Sequence, residues 1–244
     1  MRVSTGSETV DRLLQGGLDA DCLTTIYGPA GAGKTNLALM TSVKVAEAGK
    51  KVIYVDTEGG FSVERLKQLT KNHEQVMEDI MFLRPTTFAE QVEAFEKLRA
   101  LVNSKIGLIV VDSISMLYRL ELGSSEEVYD VNRALGKQIA ALTEIARKKE
   151  IPVLITNQVY SSFDERDKVS MVGGDLLRYG SKCLVELQIT PSNKRRAIIK
   201  KHRSLAPEQE AVFRIVESGT EDAKESRGFN LFRRADDRPV DKFK

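Results

Sequence analysis

The sequence predicts an α/β fold with a mostly parallel central sheet, extended near its C-terminal end by antiparallel strands. Three observations carry that expectation. Short apolar, β-branched runs alternate with stretches of helical periodicity through most of the chain, the pattern of strands joined by crossover helices. A glycine-rich loop, Gly28-Pro29-Ala30-Gly31-Ala32-Gly33-Lys34-Thr35, lies between one such strand and the helix after it. Two further apolar runs then face each other across Pro191-Ser192-Asn193 as a hairpin. At 244 residues the chain is long enough to bury a sizeable core and lies in the range of one α/β domain.

The elements follow in order. Ser4-Thr5-Gly6-Ser7 reads as a turn, followed by a short helix with Val10, Leu13 and Leu14 on one face and a stop at Gly16-Gly17. The glycine loop comes almost at once, so no separate N-terminal domain is expected and residues 1–244 are read as one domain. Leu23-Thr24-Thr25-Ile26-Tyr27 is a buried strand. The stretch after the loop is rich in helix formers and stops at Gly49, with Lys50 and Lys51 near the helix's negative end. A strand over residues 52–55 ends in Asp56-Thr57-Glu58-Gly59-Gly60, carboxylates placed where open α/β sheets bind ligands. A helix carrying Val63, Leu66 and Leu69 follows, with Arg65 on its first turn. Ile80–Leu83 is a strand and residues 88–102 a helix.

Residues 108–111 form a buried strand ending in a lone carboxylate, Asp112. A long helix is expected from about residue 126 to 149, then a strand over 151–156 ending in Asn157-Gln158. Residues 160–174 are polar without periodicity and read as a loop. Cys183–Ile189 and residues 196–200 pair as the hairpin, and 211–215 is expected to be the last strand.

The glycine loop matches G-x-x-x-x-G-K-T, the P-loop pattern, in the strand–loop–helix setting that pattern requires. That geometry wraps residues 28–33 around a phosphate and aims their N–H groups, Pro29 excepted, and a positive helix end at it. Lys34 then reaches the β/γ-phosphates, the Thr35 hydroxyl ligates Mg²⁺, and Asp112 is placed to hold the same ion. ATP and Mg²⁺ are the expected cofactors. A plain glycine turn is the alternative, and the flanking strand and helix count against it.

Composition excludes more than it selects. Hydrophobic residues at 41% and charged residues at 30% describe an ordinary globular chain, and a net charge of +2 names no partner. Cys22 and Cys183 both border apolar strand-like runs, which suggests reduced, buried thiols and a cytoplasmic protein. There is no secretory signal and no apolar run of membrane-spanning length. His73 and His202, the only histidines, lie apart with no cysteine cluster, so neither is read as a metal ligand.

Ser4-Thr5-Gly6, Gly16-Gly17-Leu18, the P-loop, Asp56-Thr57-Glu58-Gly59, Val111-Asp112-Ser113, Thr156-Asn157-Gln158-Val159, Gly173-Gly174 and Ala211-Val212-Phe213-Arg214-Ile215 stand in the order seen in the RecA/RadA recombinase ATPase family. The chain resembles that family over essentially its whole length. Its compactness and Lys201-His202-Arg203-Ser204 make it similar to a short archaeal paralogue of the RadA recombinase. The resemblance implies a RecA-like P-loop NTPase core, ATP hydrolysis, sequence-independent DNA binding and a part in DNA repair and homologous recombination. It also implies a RadA-like recombinase and other recombination proteins as partners, and a homo-oligomer. Glu58 matches the family's catalytic carboxylate, which orients or deprotonates the attacking water. Gln158 matches the γ-phosphate sensor, and Arg65 a position that stacks on adenine. Read without the family, the three are equally a solvated carboxylate, a polar strand terminus and a solvated helix arginine.

The paralogues that the chain resembles are weak ATPases, and two loops agree. Residues 118–128 set Glu121, Glu126 and Glu127 against Arg119, and residues 160–174 set Asp164, Glu165 and Asp167 against Arg166 and Lys168. A groove for single-stranded nucleic acid needs net positive charge and stacking aromatics. Weak hydrolysis without efficient strand exchange is the expectation.

The densest basic run is Lys194, Arg195, Arg196, Lys200, Lys201 and Arg203, and DNA binding through phosphates is placed there. On strand alternation Lys201 and Arg203 share one face and Lys200 and His202 the other. The turn of this hairpin is expected to lie away from the P-loop. Two other readings stay open. Lys201 and Arg203 act in trans on a neighbour's γ-phosphate, as in the KaiC branch that the Lys-x-Arg-Ser pattern resembles, or the hairpin is a plain solvated one. A KaiC-like, ATP-dependent assembly or signalling module without a DNA role is the alternative function.

Overall fold

The computed structural model describes residues 1–124, 128–160 and 170–223. In chain order the elements are β1 (Arg2–Val3), α1 (Glu8–Leu13), β2 (Leu18–Asp19), β3 (Leu23–Tyr27), α2 (Lys34–Glu47), β4 (Lys51–Asp56), α3 (Val63–Leu69), α4 (His73–Glu78) and β5 (Ile80–Leu83). Then come α5 (Phe88–Leu101), β6 (Ile106–Asp112), α6 (Met116–Ser124), α7 (Val128–Lys149), β7 (Val153–Asn157), β8 (Val159–Tyr160), β9 (Ser170–Met171), α8 (Gly174–Gly180), β10 (Cys183–Ile189), β11 (Arg195–Lys201), β12 (Glu210–Val216) and β13 (Gly219–Asp222).

One nine-stranded sheet organises the chain, in the order β13-β12-β11-β10-β3-β7-β6-β4-β5. From β10 to β5 every neighbour is parallel, and from β10 to β13 every neighbour is antiparallel. The central strands read as continuous apolar runs because both faces are covered, as parallel sheets require. Alternation sorts their side chains. Ile26, Val52, Tyr54, Leu108 and Val110 pack towards α2, in the cluster that also holds Leu37, Leu39 and Val43. Ile53, Val55, Ile109, Val111, Val153 and Ile155 pack with Phe95 and Leu98 of α5 and with Leu135, Ile139 and Leu142 of α7. The spacing of those α7 residues gives the helix its apolar stripe.

The α/β class and the antiparallel C-terminal extension are as the sequence predicts. Some details differ, and some lie outside the described residues. Residues 118–124, read as part of a loop, belong to the helix α6. Residues 211–215 do not form the last strand: Gly219 turns the chain with φ +130, and β13 pairs back on β12. The start of the long helix near Glu126 falls outside the described residues, as do 161–169 of the polar loop and its residues Asp164 to Lys168. At the described ends of that loop, Val159 pairs with Met171, and Gly174 opens α8. Finally, α4 is too short for its periodicity to stand out, since it offers one buried residue, Val76. Among the described residues no helix is long and apolar enough to cross a membrane.

Candidate nucleotide-binding site

The parallel strands β3, β4, β6 and β7 all end at one edge of the sheet, and their C-terminal ends deliver the site. Tyr27 pairs with Asn157 and Asp56 with Asp112 at that edge, so the residues just beyond them face one another. The P-loop leaves β3 there. Gly28, Gly31 and Gly33 all have positive φ, and a Cβ on Gly28 would stand 2.2 Å from the Leu187 carbonyl oxygen of β10. Only glycine lets the loop lie that close to the neighbouring strand. The N–H groups of Gly31 and Gly33, and of Lys34 and Thr35 at the start of α2, have no protein partner among the described residues. Unpaired amides at a helix N-terminus are the donor set a phosphate needs, so the loop fits a nucleotide's phosphates.

Lys34 is buried, and its ammonium donates to the Gly28 and Pro29 carbonyls at 2.9 Å each. Burial lowers its pKa, against the pull of Glu58 and Asp112. Asp112 ends β6 at 3% exposure. Its Oδ2 accepts from the Tyr54 hydroxyl at 2.9 Å, its Oδ1 from the Thr156 hydroxyl, and Thr35 also donates to it. Burial raises the pKa of this carboxyl, while the hydroxyl donors oppose that shift. A divalent cation beside it would restore the ionised form, so Thr35 and Asp112 fit the Mg²⁺ role. Asp56 is spent on the loop itself, accepting from the Gly60 and Phe61 N–H groups at 3.1 and 3.3 Å.

Glu58 and Gln158, a hundred residues apart, meet here. Glu58 Oε1 accepts from Gln158 Nε2 at 2.9 Å and from the Ser113 hydroxyl. The β6 end is fastened to the β4 end: Thr57 donates its hydroxyl to the Ser113 carbonyl at 2.6 Å and accepts the Ser113 N–H at 3.0 Å. Val172 ties Gln158 to the far side of the polar loop, donating to the Gln158 carbonyl at 3.1 Å and accepting from Asn157 Nδ2 at 2.9 Å.

Arg65 lies at the side of the site. Its guanidinium donates to Asn36 Oδ1 at 2.7 Å, Gln68 Oε1 and the Glu217 carbonyl at 2.8 Å, and the Val216 and Gly219 carbonyls at 2.8 and 3.2 Å. These bonds engage the edge of the group and fix its plane, which leaves the use of its face for adenine a matter of proposal. The same clamp holds the β12–β13 turn beside the P-loop, where a Cβ on Gly33 would stand 2.8 Å from Ile215 Cδ1.

The hairpin cations sit differently from expectation. The turn is not remote from the P-loop: Arg195 Nε donates to the Gly31 carbonyl at 3.1 Å. The alternation of faces also breaks. A bulge opposite Leu184/Val185 shifts the register, β11 ends at Lys201, and His202 and Arg203 both turn to Asp19, at 3.6 and 3.0 Å. The cations are largely engaged within the chain. Arg196 faces Glu210, Lys200 pairs with Glu208 at 2.6 Å, and Arg203 pairs with Asp21 at 2.8 Å. Lys201 donates to the Arg178 and Ser181 carbonyls at the end of α8. Lys194 holds the turn through its N–H to the Thr190 hydroxyl.

The family model described as Rad51 matches residues 1–223, every strand of the large sheet included. The chain belongs to the Rad51 family. Among curated Rad51-family relatives it is 41% identical over 217 residues to a "DNA repair and recombination protein RadB" of Methanobrevibacter smithii, covering 86% of this chain and 92% of that protein. A protein of the same description from Methanococcus maripaludis strain C7 is 44% identical over 214 residues, covering 87% and 97%. Among solved structures, one described as the RadB recombinase superposes with a TM-score of 0.78 at 39% identity, over 91% of this chain and all of that one. The similarity to short paralogues of RadA, read from the sequence, therefore resolves to RadB. What sequence reasoning missed are the roles of four residues here: Tyr54 and Thr156 on Asp112, Ser113 on Glu58, and Arg195 on the P-loop. Tyr54 and Thr156 carry a legible signal, hydroxyls inside strands otherwise apolar, whereas Arg195 carries none.

Proposed function

We propose that the protein binds Mg-ATP at the P-loop, hydrolyses it slowly, and acts with DNA as an accessory in repair and homologous recombination. One observation carries the nucleotide half: Lys34, Thr35, Asp112, Glu58 and Gln158 converge on one end of the sheet. Mg-ATP bound there supplies a cleavable phosphoanhydride and a divalent charge. Unpaired N–H groups of the loop and the Lys34 ammonium would hold the phosphates once Lys34 leaves the Gly28 and Pro29 carbonyls. Thr35 and Asp112 would hold the metal. Glu58 would take a proton from water, and Gln158, bonded to it, would report its state to Val172 and the polar loop.

Slow turnover is supported by the sequestration of Lys201 and Arg203, whose charges are engaged by α8 carbonyls and by Asp19 and Asp21 of the same chain. An arginine-finger role in trans would require those bonds to break. The DNA half rests on relatives described as DNA repair and recombination proteins over nearly the whole chain, which favours it over a KaiC-like module without DNA. A RadA-like recombinase is the partner this implies, in the cytoplasm, where buried Cys22 and Cys183 stay as free thiols.

Lys34→Ala tests the site. Hydrolysis should be lost and ATP binding weakened strongly, while the variant still unfolds in one cooperative transition without nucleotide. Hydrolysis at the parent's rate would exclude the P-loop as the site.

A further inference from the structure

The hairpin cations are largely neutralised within the chain, but another cationic group is not. Arg178, Tyr179 and Lys182 lie at the C-terminal end of α8, where Arg178 and Lys182 are exposed and Tyr179 is 76% exposed. Among the described residues no carboxylate pairs with Arg178 or Lys182, and no hydrogen bond holds the Tyr179 hydroxyl. On the α7 side, Arg147 lines a cleft of about 750 Å³ together with Lys148 and Glu144, and Leu176 and Gly180 of α8 form its other wall. The two helices can approach this closely because residue 180 is glycine: a Cβ there would stand 2.4 Å from Ile139 Cγ2.

The end of a helix is ordinarily negative and repels phosphate. Here Lys201 removes that obstacle, donating to the Arg178 carbonyl at 2.6 Å and the Ser181 carbonyl at 2.8 Å. The local field is positive: burial lowers the pKa of Lys201, and Lys182 and Arg178 lower it further, with no carboxylate opposing. Cations that track a phosphate chain, interleaved with an exposed aromatic on which a base can stack, are the elements of a single-strand binding surface.

We propose that Arg178, Tyr179 and Lys182, flanked by Arg147, form a contact surface for single-stranded nucleic acid, separate from the C-terminal hairpin. The surface deepens the DNA reading above and rests on it. Arg178 and Lys182 bind backbone phosphates, and the Tyr179 ring stacks on a base.

The test measures binding of the full chain to a fluorescent oligo-dT as salt is raised. The parent must bind, with affinity falling as salt rises. Absence of binding by the parent would overturn the DNA reading itself. Arg178→Ala with Lys182→Ala should lower the slope of log affinity against log salt by about 1.4, at roughly 0.7 per lost phosphate contact on a single strand. A control pair, Lys67→Ala with Lys97→Ala, removes the same charge elsewhere and should leave the slope unchanged. Tyr179→Ala should weaken binding by roughly 5- to 150-fold, the factor that corresponds to about 1–3 kcal/mol per stacked base, with the slope unchanged. ATP hydrolysis by dilute protein should match the parent in every variant. A parental slope in the Arg178/Lys182 variant, or an equal fall in the control, would overturn the surface. So would a variant whose only defect is hydrolysis at concentrations where subunits associate, because that places the patch against a second copy's nucleotide.

Discussion

Arg65→Ala probes the link between the C-terminal strands and the P-loop. Arg65 holds three half-buried acceptors, Asn36 Oδ1 and the carbonyls of Val216 and Gly219, and two exposed ones at Gln68 and Glu217. A hydrogen bond from a charged donor is worth about 1.5–3 kcal/mol when buried and less where water competes. Counting about 1 kcal/mol for each half-buried bond and little for the exposed pair gives a loss of about 2–4 kcal/mol. For a chain of this size that lowers the melting temperature by roughly 5–15 °C. The β12–β13 turn would loosen and carry Ile215 away from Gly33, so affinity for a fluorescent ATP analogue should fall as well. Arg65→Lys keeps the charge but cannot span acceptors on both α2 and the turn, and should recover only a minor part of either loss. Thermal and urea denaturation measure the first effect, and equilibrium titration the second. If Arg65→Ala stays within about 1 kcal/mol of the parent, the clamp is not what holds the turn, and the residue's work lies elsewhere.

Two other outcomes follow from the same geometry. Arg195→Ala removes the bond to the Gly31 carbonyl, worth about 0.5–1.5 kcal/mol, and should weaken ATP by roughly 2- to 10-fold in an equilibrium titration. Unchanged ATP affinity would show that the hairpin does not support the loop. His202 gives a pH dependence. Its Nδ1 accepts from the Ser204 and Leu205 N–H groups at 3.1 and 3.2 Å, and burial lowers its pKa despite Asp19, with Arg2 and Arg203 adding to the fall. The unfolded chain therefore takes up the proton first, so this stability is complete above an unfolded pKa near 6.5 and declines as pH drops below it. Melting temperature measured from pH 7 to 5 should fall less in His202→Asn than in the parent, and identical curves would refute the assignment.

What could be read from the sequence was what local pattern determines. The P-loop, the Asp112 strand and the hairpin follow from composition over a few residues, and the two cysteines are buried and free as their apolar neighbours suggest. Glu58 and Gln158 take their separate roles from the family resemblance alone, and their pairing across 100 residues is legible only in the fold. Partners of the basic run lie further off still for Arg203, which meets Asp19 and Asp21, and for Arg195, which meets Gly31, while Lys201 reaches back to the end of α8. A run of cations looks like a nucleic-acid site when counted along the chain, because the charges that neutralise it arrive from other segments. The bulge at Leu184/Val185 is illegible for a similar reason: it is a property of two strands together, and one strand's alternation cannot reveal it.

Single-turnover hydrolysis by Glu58→Gln, paired with a direct measure of ATP affinity, tests the central claim most directly. Glutamine at this position still offers an oxygen to Ser113 Oγ and Gln158 Nε2, so the cluster around Asp112 should survive. What it lacks is a group that can take a proton. ATP should bind within a few-fold of the parent's affinity, and the rate of the chemical step should fall by roughly 10²–10⁴. A variant that turns over ATP like the parent, or one whose defect is entirely in binding, would contradict the catalytic role of Glu58.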